Sequence, residues 1–330
     1  MGNFMLGIET SCDDTSIALV DRRGNVEAIE TVSQYAIHSE FGGVYPELAS
    51  RAHLEAILPI IESVMAKAKV TPLELAGIGV TRGPGLMGSL LVGLSTAQAL
   101  GMAWSVPVYG VNHLRGHICS VDLELKRLDY PAIVLLISGG HTLLAHMTNK
   151  ETYELMGTTR DDSVGECYDK VARTLGLGMP GGPAIDRLAA TGEPKIKFPR
   201  PMIKSGYEFS FSGLKSSVSR HVETHKDWDV NDVAASFVEA CVDVLSSKVL
   251  NAISDKKPKT LAVVGGVAAS PQMRARMQGI CDETGVTLCL PPIKWSTDNA
   301  GMIAMAAWDY IDKGVVTDLE PSPNLRLDQA

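Results

Sequence analysis

The sequence predicts an α/β protein with a duplicated architecture, and three observations carry that prediction. Residues 5–20, MLGIETSCDDTSIALV, are apolar on both sides of a polar middle, the pattern of strand, turn and strand. Residues 132–147, AIVLLISGGHTLLAHM, repeat that design with an S-G-G turn. Each of these hairpins opens one half of the chain and is followed by helix-period segments and a further strand.

After the first hairpin, helical periodicity sets in around residues 48–68, then the strand LAGIGVTRGPG leads into a long helix from about Leu86. Leu86 to Val108 is the most apolar segment, but Ser89, Ser95, Thr96, Gln98, Ser105 and Pro107 interrupt it. It reads as a buried core helix followed by a strand, not as a membrane span. After the second hairpin come a helix near 162–176, a glycine turn and a helix near 229–254. The strand TLAVVGGVAAS, 260–270, then runs into the helix PQMRARMQGICDE. Charge and proline place the join between the halves near 126–131, KRLDYP.

At 330 residues, with 45% hydrophobic and 21% charged, the chain is long enough for two packed lobes or one large α/β domain. Six cysteines without any C-x-x-C pair argue against a zinc ribbon or a disulfide framework and favour a reducing cytoplasm. The start, MGNFMLGIETS, has no basic region and no apolar run of signal-peptide length. The net charge of −8 argues against general affinity for nucleic-acid phosphate, but it leaves room for a local basic surface. KIKFPRPMIK carries Lys195, Lys197, Arg200 and Lys204 among apolar residues and prolines; it is either such a surface, held extended by Pro199 and Pro201, or a solvated loop.

Chemistry-bearing residues gather at the strand ends. VNHLRGH sets His113 and His117 four positions apart, so on a helix both imidazoles leave the same face. The pair follows the apolar run VPVYGV, at the end of a core strand, where ligands collect in α/β folds. The best third ligand is Asp298, in the polar turn of KWSTDNAGMIAMAAW. Two histidines and a carboxylate suit Fe(II) or Zn(II), and the residues alone leave open that the histidines are simply hydrogen-bonded core groups. A zinc peptidase of the H-E-x-x-H type would need glutamate where Leu114 stands. HVETH repeats the spacing at His221 and His225 in densely charged surroundings and reads as surface helix.

GPGLMGS has glycines spaced as in a phosphate-binding loop, but Ser89 stands where the lysine belongs, so these glycines serve a tight turn from strand to helix. ISGGHT, with Ser138, Gly139 and Gly140, and GGVAAS, with Gly265 and Gly266, are better candidates for backbone contact with a phosphate or nucleotide. A plain hairpin turn remains the alternative for the first. Acidic residues follow the same plan: Glu9, Asp13 and Asp14 at the first hairpin, then Asp161, Asp162, Glu166, Asp169 and Asp186, several of them placed for contacts with ribose hydroxyls or a substrate ammonium group.

Taken in order, GIETSCDDTSIAL, FGGVYPELASR, GPGLMGSLLVG, VNHLRGH, LLISGGHT, GECYDKVARTLGL, PGGPAID, FSFSGLKSSV, GGVAAS and STDNAGMIA resemble the TsaD family over nearly the whole chain, in its bacterial branch. That family, once labelled O-sialoglycoprotein endopeptidase or Gcp, consists of tRNA threonylcarbamoyltransferases. The resemblance implies the duplicated fold of actin, sugar kinases and heat-shock ATPases (ASKHA), two lobes around a nucleotide cleft. It puts the first lobe at 1–129, joined by the C-terminal helix region 302–330, and the second at 130–301.

Carried over by position, the resemblance makes His113, His117 and Asp298 the ligands of one divalent metal, Fe(2+) favoured and Zn(2+) the competitor. It makes Leu136, Ile137, Ser138, Gly139 and Gly140 a substrate-binding loop, and Asp169, Gly182 and Asp186 further substrate and nucleotide contacts. Ser270 departs from the family's usual Asn; its hydroxyl still donates and accepts one hydrogen bond, but its shorter reach leaves open whether the contact is direct or through a bridging water. The implied reaction moves the threonylcarbamoyl group from threonylcarbamoyl-AMP to the exocyclic amine of the adenosine next to the anticodon, with AMP leaving. Glu9, Asp13 and Asp14 are the candidates for a base. ATP or ADP is a further possible occupant of the cleft. The partners implied are tRNA, a TsaB-like paralogue docking on the N-terminal lobe, a TsaE-like ATPase and a TsaC-like AMP-forming synthase, all in the cytoplasm and none in a membrane. A metallopeptidase and an ATP-gated binding protein are the competing readings; the first lacks its glutamate, and the second lacks a substrate-binding domain after the nucleotide lobes.

Overall fold

In the computed structural model, which describes residues 2–39, 41, 43–125 and 128–329, the two hairpins become the centres of two five-stranded sheets. The chain divides into two compact units, Met1–Arg127 with Asp298–Ala330, and Leu128–Thr297. Of the join expected at 126–131, Lys126 and Arg127 lie outside the described residues, as does Gly42 of the FGGVYPELASR motif.

In the first unit β1 (Phe4–Glu9) pairs antiparallel with β2 (Asp14–Asp21), with Gly7 opposite Ala18, and β2 pairs with β3 (Val26–Ser33). After the short helix α1 (Tyr35–Ser39) and the long α2 (Pro46–Ala68), β4 (Leu75–Gly83) joins parallel to β1. Helix α3 (Met87–Trp104) then leads to β5 (Val108–Asn112), parallel to β4, and α4 (His113–Cys119) follows without a break. The sheet order is β3-β2-β1-β4-β5. Leu6, Ile8, Ile17, Leu19 and Ile78 are fully buried under Ile57, Ile61 and Val64 of α2 and Leu94 and Ala97 of α3. Burial of each such side chain stabilises the fold by about 1.5–3 kcal/mol. The opposite face, with Gly7, lies under the helix that begins at Ala300, and burial on both faces is why β1 and β2 read as continuous apolar runs instead of alternating ones.

The second unit has the same plan. Strands β6 (Ala132–Ile137), β7 (Thr142–Met147) and β8 (Tyr153–Thr158) are antiparallel. Helices α5 (Val164–Thr174), α6 (Gly181–Ala189), α7 (Ser212–Thr224) and α8 (Val230–Lys256) precede β9 (Thr260–Val264), which runs parallel to β6. Helix α9 (Pro271–Thr284) and β10 (Thr287–Cys289) complete the order β10-β9-β6-β7-β8. Helix α8 is the spine of this core, with Phe237, Cys241, Val244 and Leu245 against Tyr168 of α5 and Ile185 of α6. His225 departs from expectation: α7 ends at Thr224, and His225 caps it in an extended conformation with its ring stacked 4.2 Å from that of His221.

Helix α10 (Ala300–Lys313) returns to the first unit. It starts at Ala300 because the Asn299 side chain accepts from Met302 N at 2.9 Å. Ala300 N donates to Ser16 Oγ at 3.0 Å and Trp308 Nε1 to Val20 O at 3.1 Å, which lays the helix on the hairpin. The contact is close enough that a Cβ at Gly7 would sit 2.1 Å from Ala300 O. Glycine is therefore required there. Among the described residues no helix is long and apolar enough to cross a membrane.

Candidate functional site

The junction of β5 and α4 builds the histidine pair. Asn112 ends the strand and caps the helix, its Oδ1 accepting from Leu114 N at 2.9 Å and Arg115 N at 3.3 Å. The helix thus begins on His113, and one turn later His117 stands on the same face, the rings edge-on with centroids 4.7 Å apart. Arg115, on another face, pairs with Asp309 of α10 at 3.1 Å and lies 5.3 Å from the centre of the Tyr310 ring, which fixes the helix against its neighbour.

Asp298, just ahead of α10, meets the pair. Its Oδ1 is 3.1 Å from His117 Nε2 and 3.5 Å from His113 Nε2, and one ligand atom from each of the three residues lies within 4.8 Å of the others. His117 is fully buried, and both of its ring nitrogens lack a hydrogen-bond partner. Its Nε2 approaches Asp298 as a charge partner at 3.1 Å. A buried polar atom left unpaired costs about 1–3 kcal/mol, so nitrogens converging in this way on a carboxylate form a possible metal site. Asp298 keeps its side chain 35% exposed, which opens the cluster to solvent.

Behind His113 lies Glu9, 1% exposed at the end of β1. Its Oε1 accepts from Ser11 N at 2.6 Å; its Oε2 accepts from Thr81 Oγ1 at 2.5 Å and faces His113 Nδ1 at 3.0 Å. Burial alone would raise the Glu9 pKa, but the charge and hydrogen bond of His113 leave it lowered. Burial would lower the pKa of His113, yet Glu9 and Asp298 hold it well above the usual histidine range. Asp298 is likewise pushed up by burial and pulled well below the carboxylate range by the two histidines. Asp13 and Asp14 follow at the turn and at the first position of β2; burial pushes Asp14 up to about 6.

The second unit gathers the other expected residues. Leu136 and Ile137 are fully buried in β6, so only their backbone can reach a substrate. Ser138 N donates to His141 O at 2.8 Å and its Oγ accepts from His141 N at 3.1 Å, which closes the turn, while Cβ atoms at Gly139 and Gly140 would meet open space. Gly265, at φ +95°, passes so close to β6 that a Cβ would sit 2.5 Å from Ile137 O. Asp169 Oδ1 accepts from Gly181 N at 2.9 Å and tethers α5 to the start of α6, and Gly182 opens on space. Ser270 Oγ donates to Asp186 Oδ1 at 3.0 Å, and Gln272 Nε2 donates to Asp186 O at 3.2 Å. Burial pushes Asp186 up to about 6 against the pull of that Ser270 bond.

Other expected residues are occupied within the chain. Asp161 accepts from Ser210, Ser212 and Phe211 N, and Asp162 pairs with Lys170 and Lys215, so both hold the loop before α5 to α7. Arg200 pairs with Glu239 at 2.7 Å and Asp243 at 2.9 Å, and Lys195 pairs with Asp232 at 3.0 Å, all on α8. The basic stretch also does not stay extended. After Arg200 the chain turns, Met202 taking φ +53°, because Lys248 of α8, fully buried, donates to the carbonyls of Met202, Ser205 and Gly206 at 2.6–2.8 Å. Lys197 and Lys204 remain exposed and without an ion pair among the described residues.

The sequence reading did not single out Ser11, Thr81 or Asn112. Only Asn112 left a signal, as a good N-cap directly before the histidine helix.

A family profile described as TsaD, tRNA N6-adenosine threonylcarbamoyltransferase, matches residues 25–305. Relatives with that same description include one from Staphylococcus haemolyticus, 44% identical over 99% of this chain and 97% of its own, and one from Caldicellulosiruptor bescii, 45% identical over 95% and 94%. Among solved structures, T. kodakarensis HypF superposes with a TM-score of 0.64 at 14% identity, covering 97% of this chain and 49% of its own. The (R)-2-hydroxyglutaryl-CoA dehydratase component A of Acidaminococcus fermentans gives 0.58 at 15% identity, over 94% of this chain and 100% of its own. At that identity the likeness is one of fold: two mixed sheets of one topology, the ASKHA arrangement.

Proposed function

The chain belongs to the TsaD family and transfers a threonylcarbamoyl group to N6 of adenosine in tRNA, and we propose that the donor is threonylcarbamoyl-AMP and the acceptor the adenosine next to the anticodon, in tRNAs reading codons that start with A. The observation that carries this reading is the convergence of His113, His117 and Asp298, with the buried nitrogens of His117 unpaired. These three residues would hold one divalent ion, Fe(2+) in preference to Zn(2+). When bound, such an ion polarises carbamoyl or phosphoryl oxygens and orients the donor.

The acceptor's N6 forms a bond to the carbamoyl carbon, the bond from that carbon to the AMP phosphate oxygen breaks, AMP leaves with that oxygen, and the proton lost from N6 passes to solvent or to the released phosphate. Positioning and electrostatics dominate such a transfer. The turn 138–140 suits the phosphate, since its glycines leave the backbone uncovered, and the Gly265–Gly266 pair suits the base, since Gly265 brings the chain close against β6 and a Cβ at Gly266 would meet nothing nearer than Thr297 at 3.9 Å. Asp186, aligned by Ser270, and Asp169 are suited to ribose and substrate hydroxyls, and ATP or ADP would fit the same contacts. A peptidase needs its general base after His113, where Leu114 is 2% exposed and has no titratable group.

The partners proposed are tRNA, a TsaB-like paralogue, a TsaE-like ATPase and a TsaC-like synthase that supplies the donor, in the cytoplasm. Leu54 and Leu58 of α2 and Leu91 and Met102 of α3 are exposed, which supports docking of the paralogue on the N-terminal unit. The test combines the purified chain with these partners, threonine, bicarbonate, ATP and tRNA, and reads the digested nucleosides by mass spectrometry. Threonylcarbamoyladenosine that depends on the chain is the expected product. None formed, while a Staphylococcus haemolyticus relative works in the same mixture, would overturn the reading.

A further inference from the structure

We infer that Glu9 is a positioning residue for the metal site: its buried carboxylate holds the Nδ1–H of His113 and so turns Nε2 toward the point shared with His117 and Asp298. The inference rests on the reading that these three residues bind a divalent ion.

The tautomer follows from the inventory of donors. An ionised carboxylate only accepts hydrogen bonds, whereas the Ser11 hydroxyl, 3.3 Å from the same nitrogen, can accept as well as donate, so the nitrogen 3.0 Å from Glu9 Oε2 carries the proton. In the neutral imidazole the lone pair is then on Nε2, the nitrogen 3.5 Å from Asp298 Oδ1. Glu9 is itself held, by Ser11 N on one oxygen and by the Thr81 hydroxyl on the other, so its direction is set by β1 and β4. The chain from Thr81 through Glu9 to His113 spans the end of the sheet. His117 has nothing equivalent behind its ring, since its Nδ1 has no hydrogen-bond partner and its Nε2 faces Asp298. One ligand of the pair is thus oriented in advance, and it orients the site.

The same contacts argue against Glu9 as a base. A base must reach the proton it abstracts, directly or through one water. Glu9 is 1% exposed, and its Oε2 meets the far edge of the His113 ring from the one that faces Asp298. Carboxylates in this place behind a metal-bound histidine fix its tautomer and ring orientation, and their loss typically weakens metal affinity 10–100-fold.

The test uses the full chain, stripped of metal and titrated with Zn2+ against a chromophoric chelator, as wild type, Glu9→Leu and Glu9→Gln. Glu9→Leu should weaken zinc affinity 10–100-fold, with Glu9→Gln between it and wild type. Histidine 1H–15N spectra of the zinc-loaded wild type should show His113 protonated on Nδ1 and ligating through Nε2, a readout that needs no variant to fold. Wild-type protein that binds no zinc overturns the metal reading and this inference together. Tight zinc binding unmoved in a folded Glu9→Leu protein, or His113 ligating through Nδ1, overturns this inference alone.

Discussion

Asp186 shows what a single hydroxyl can and cannot do for a buried charge. The Ser270 bond lowers its pKa, yet burial prevails and the carboxyl stands at about 6 against an ordinary 3.8. As pH rises from 4 to 6 the unfolded chain gives up this proton first, so the folded state loses stability over that window and the loss persists above it. Asp186→Asn keeps an acceptor for Ser270 and carries no charge. It should be more stable than wild type by about 1–2 kcal/mol at pH 7.5, less than the full shift because the carboxyl is partly solvated, and the difference should vanish near pH 4. Urea unfolding at both pH values checks this; a variant less stable than wild type at pH 7.5 refutes it. His117 is a different case, a buried group whose nitrogens make no hydrogen bond and whose one charged neighbour is Asp298. His117→Leu removes two buried nitrogens that make no hydrogen bond, but also a partner 3.1 Å from the Asp298 carboxylate, so the two effects oppose and the metal-free protein should unfold close to the wild-type temperature. Added Zn2+ should raise the melting temperature of wild type and leave the variant unmoved. A variant stabilised by zinc as wild type is would remove His117 from the ligand set.

At the scale of elements, the site depends on where α4 begins. Asn112→Ala removes both cap bonds and the contact of Asn112 Nδ2 with Arg326 O, so it should cost about 1 kcal/mol of stability. It should also weaken zinc binding, because a seven-residue helix without its cap frays at His113 first. Equal zinc affinity in Asn112→Ala would separate the cap from the site. The histidine helix was legible in the sequence, since a strand signal and the i, i+4 spacing are both local. So were the hairpins β1–β2 and β6–β7, whose apolar runs are buried on both faces. The edge strands β3 and β8 were not, because they are half exposed and their sequences alternate only weakly. Short β10, with three residues, is below the length at which periodicity speaks. Glu9 was legible as an acidic residue at a strand end, but its contact with His113 joins positions 104 apart, which no local pattern encodes. The turn after Arg200 was hidden for the same reason: Lys248, which binds it, comes more than forty residues later.

For the whole molecule the governing quantity is charge. A chain of net charge −8 that modifies tRNA must hold a polyanion against its own average field, so its cationic contacts have to be few and placed. Of the four basic residues in the stretch 195–204, the geometry sets two apart. Lys195 and Arg200 already face carboxylates of α8, and replacing Arg200 would strand Glu239 and Asp243 beside each other. Arg200→Glu should therefore lower stability before it says anything about RNA. Lys197 and Lys204 are exposed and have no ion pair among the described residues, so they are the pair free to meet phosphate. Phosphate contacts position the RNA without reading bases, and each one releases condensed counterions. Lys197→Glu with Lys204→Glu should then weaken tRNA binding by the chain and its assembled partners at low salt. It should also flatten the plot of log affinity against log salt by roughly 1.4–1.8, the release expected for two contacts. Zinc affinity and thermal stability should stay at wild-type values, since neither lysine touches the metal cluster or the core. Unchanged tRNA affinity and an unchanged salt slope would place the RNA surface elsewhere, on another face of this chain or on a partner, and the stretch would then be only the strap that Lys248 ties to α8.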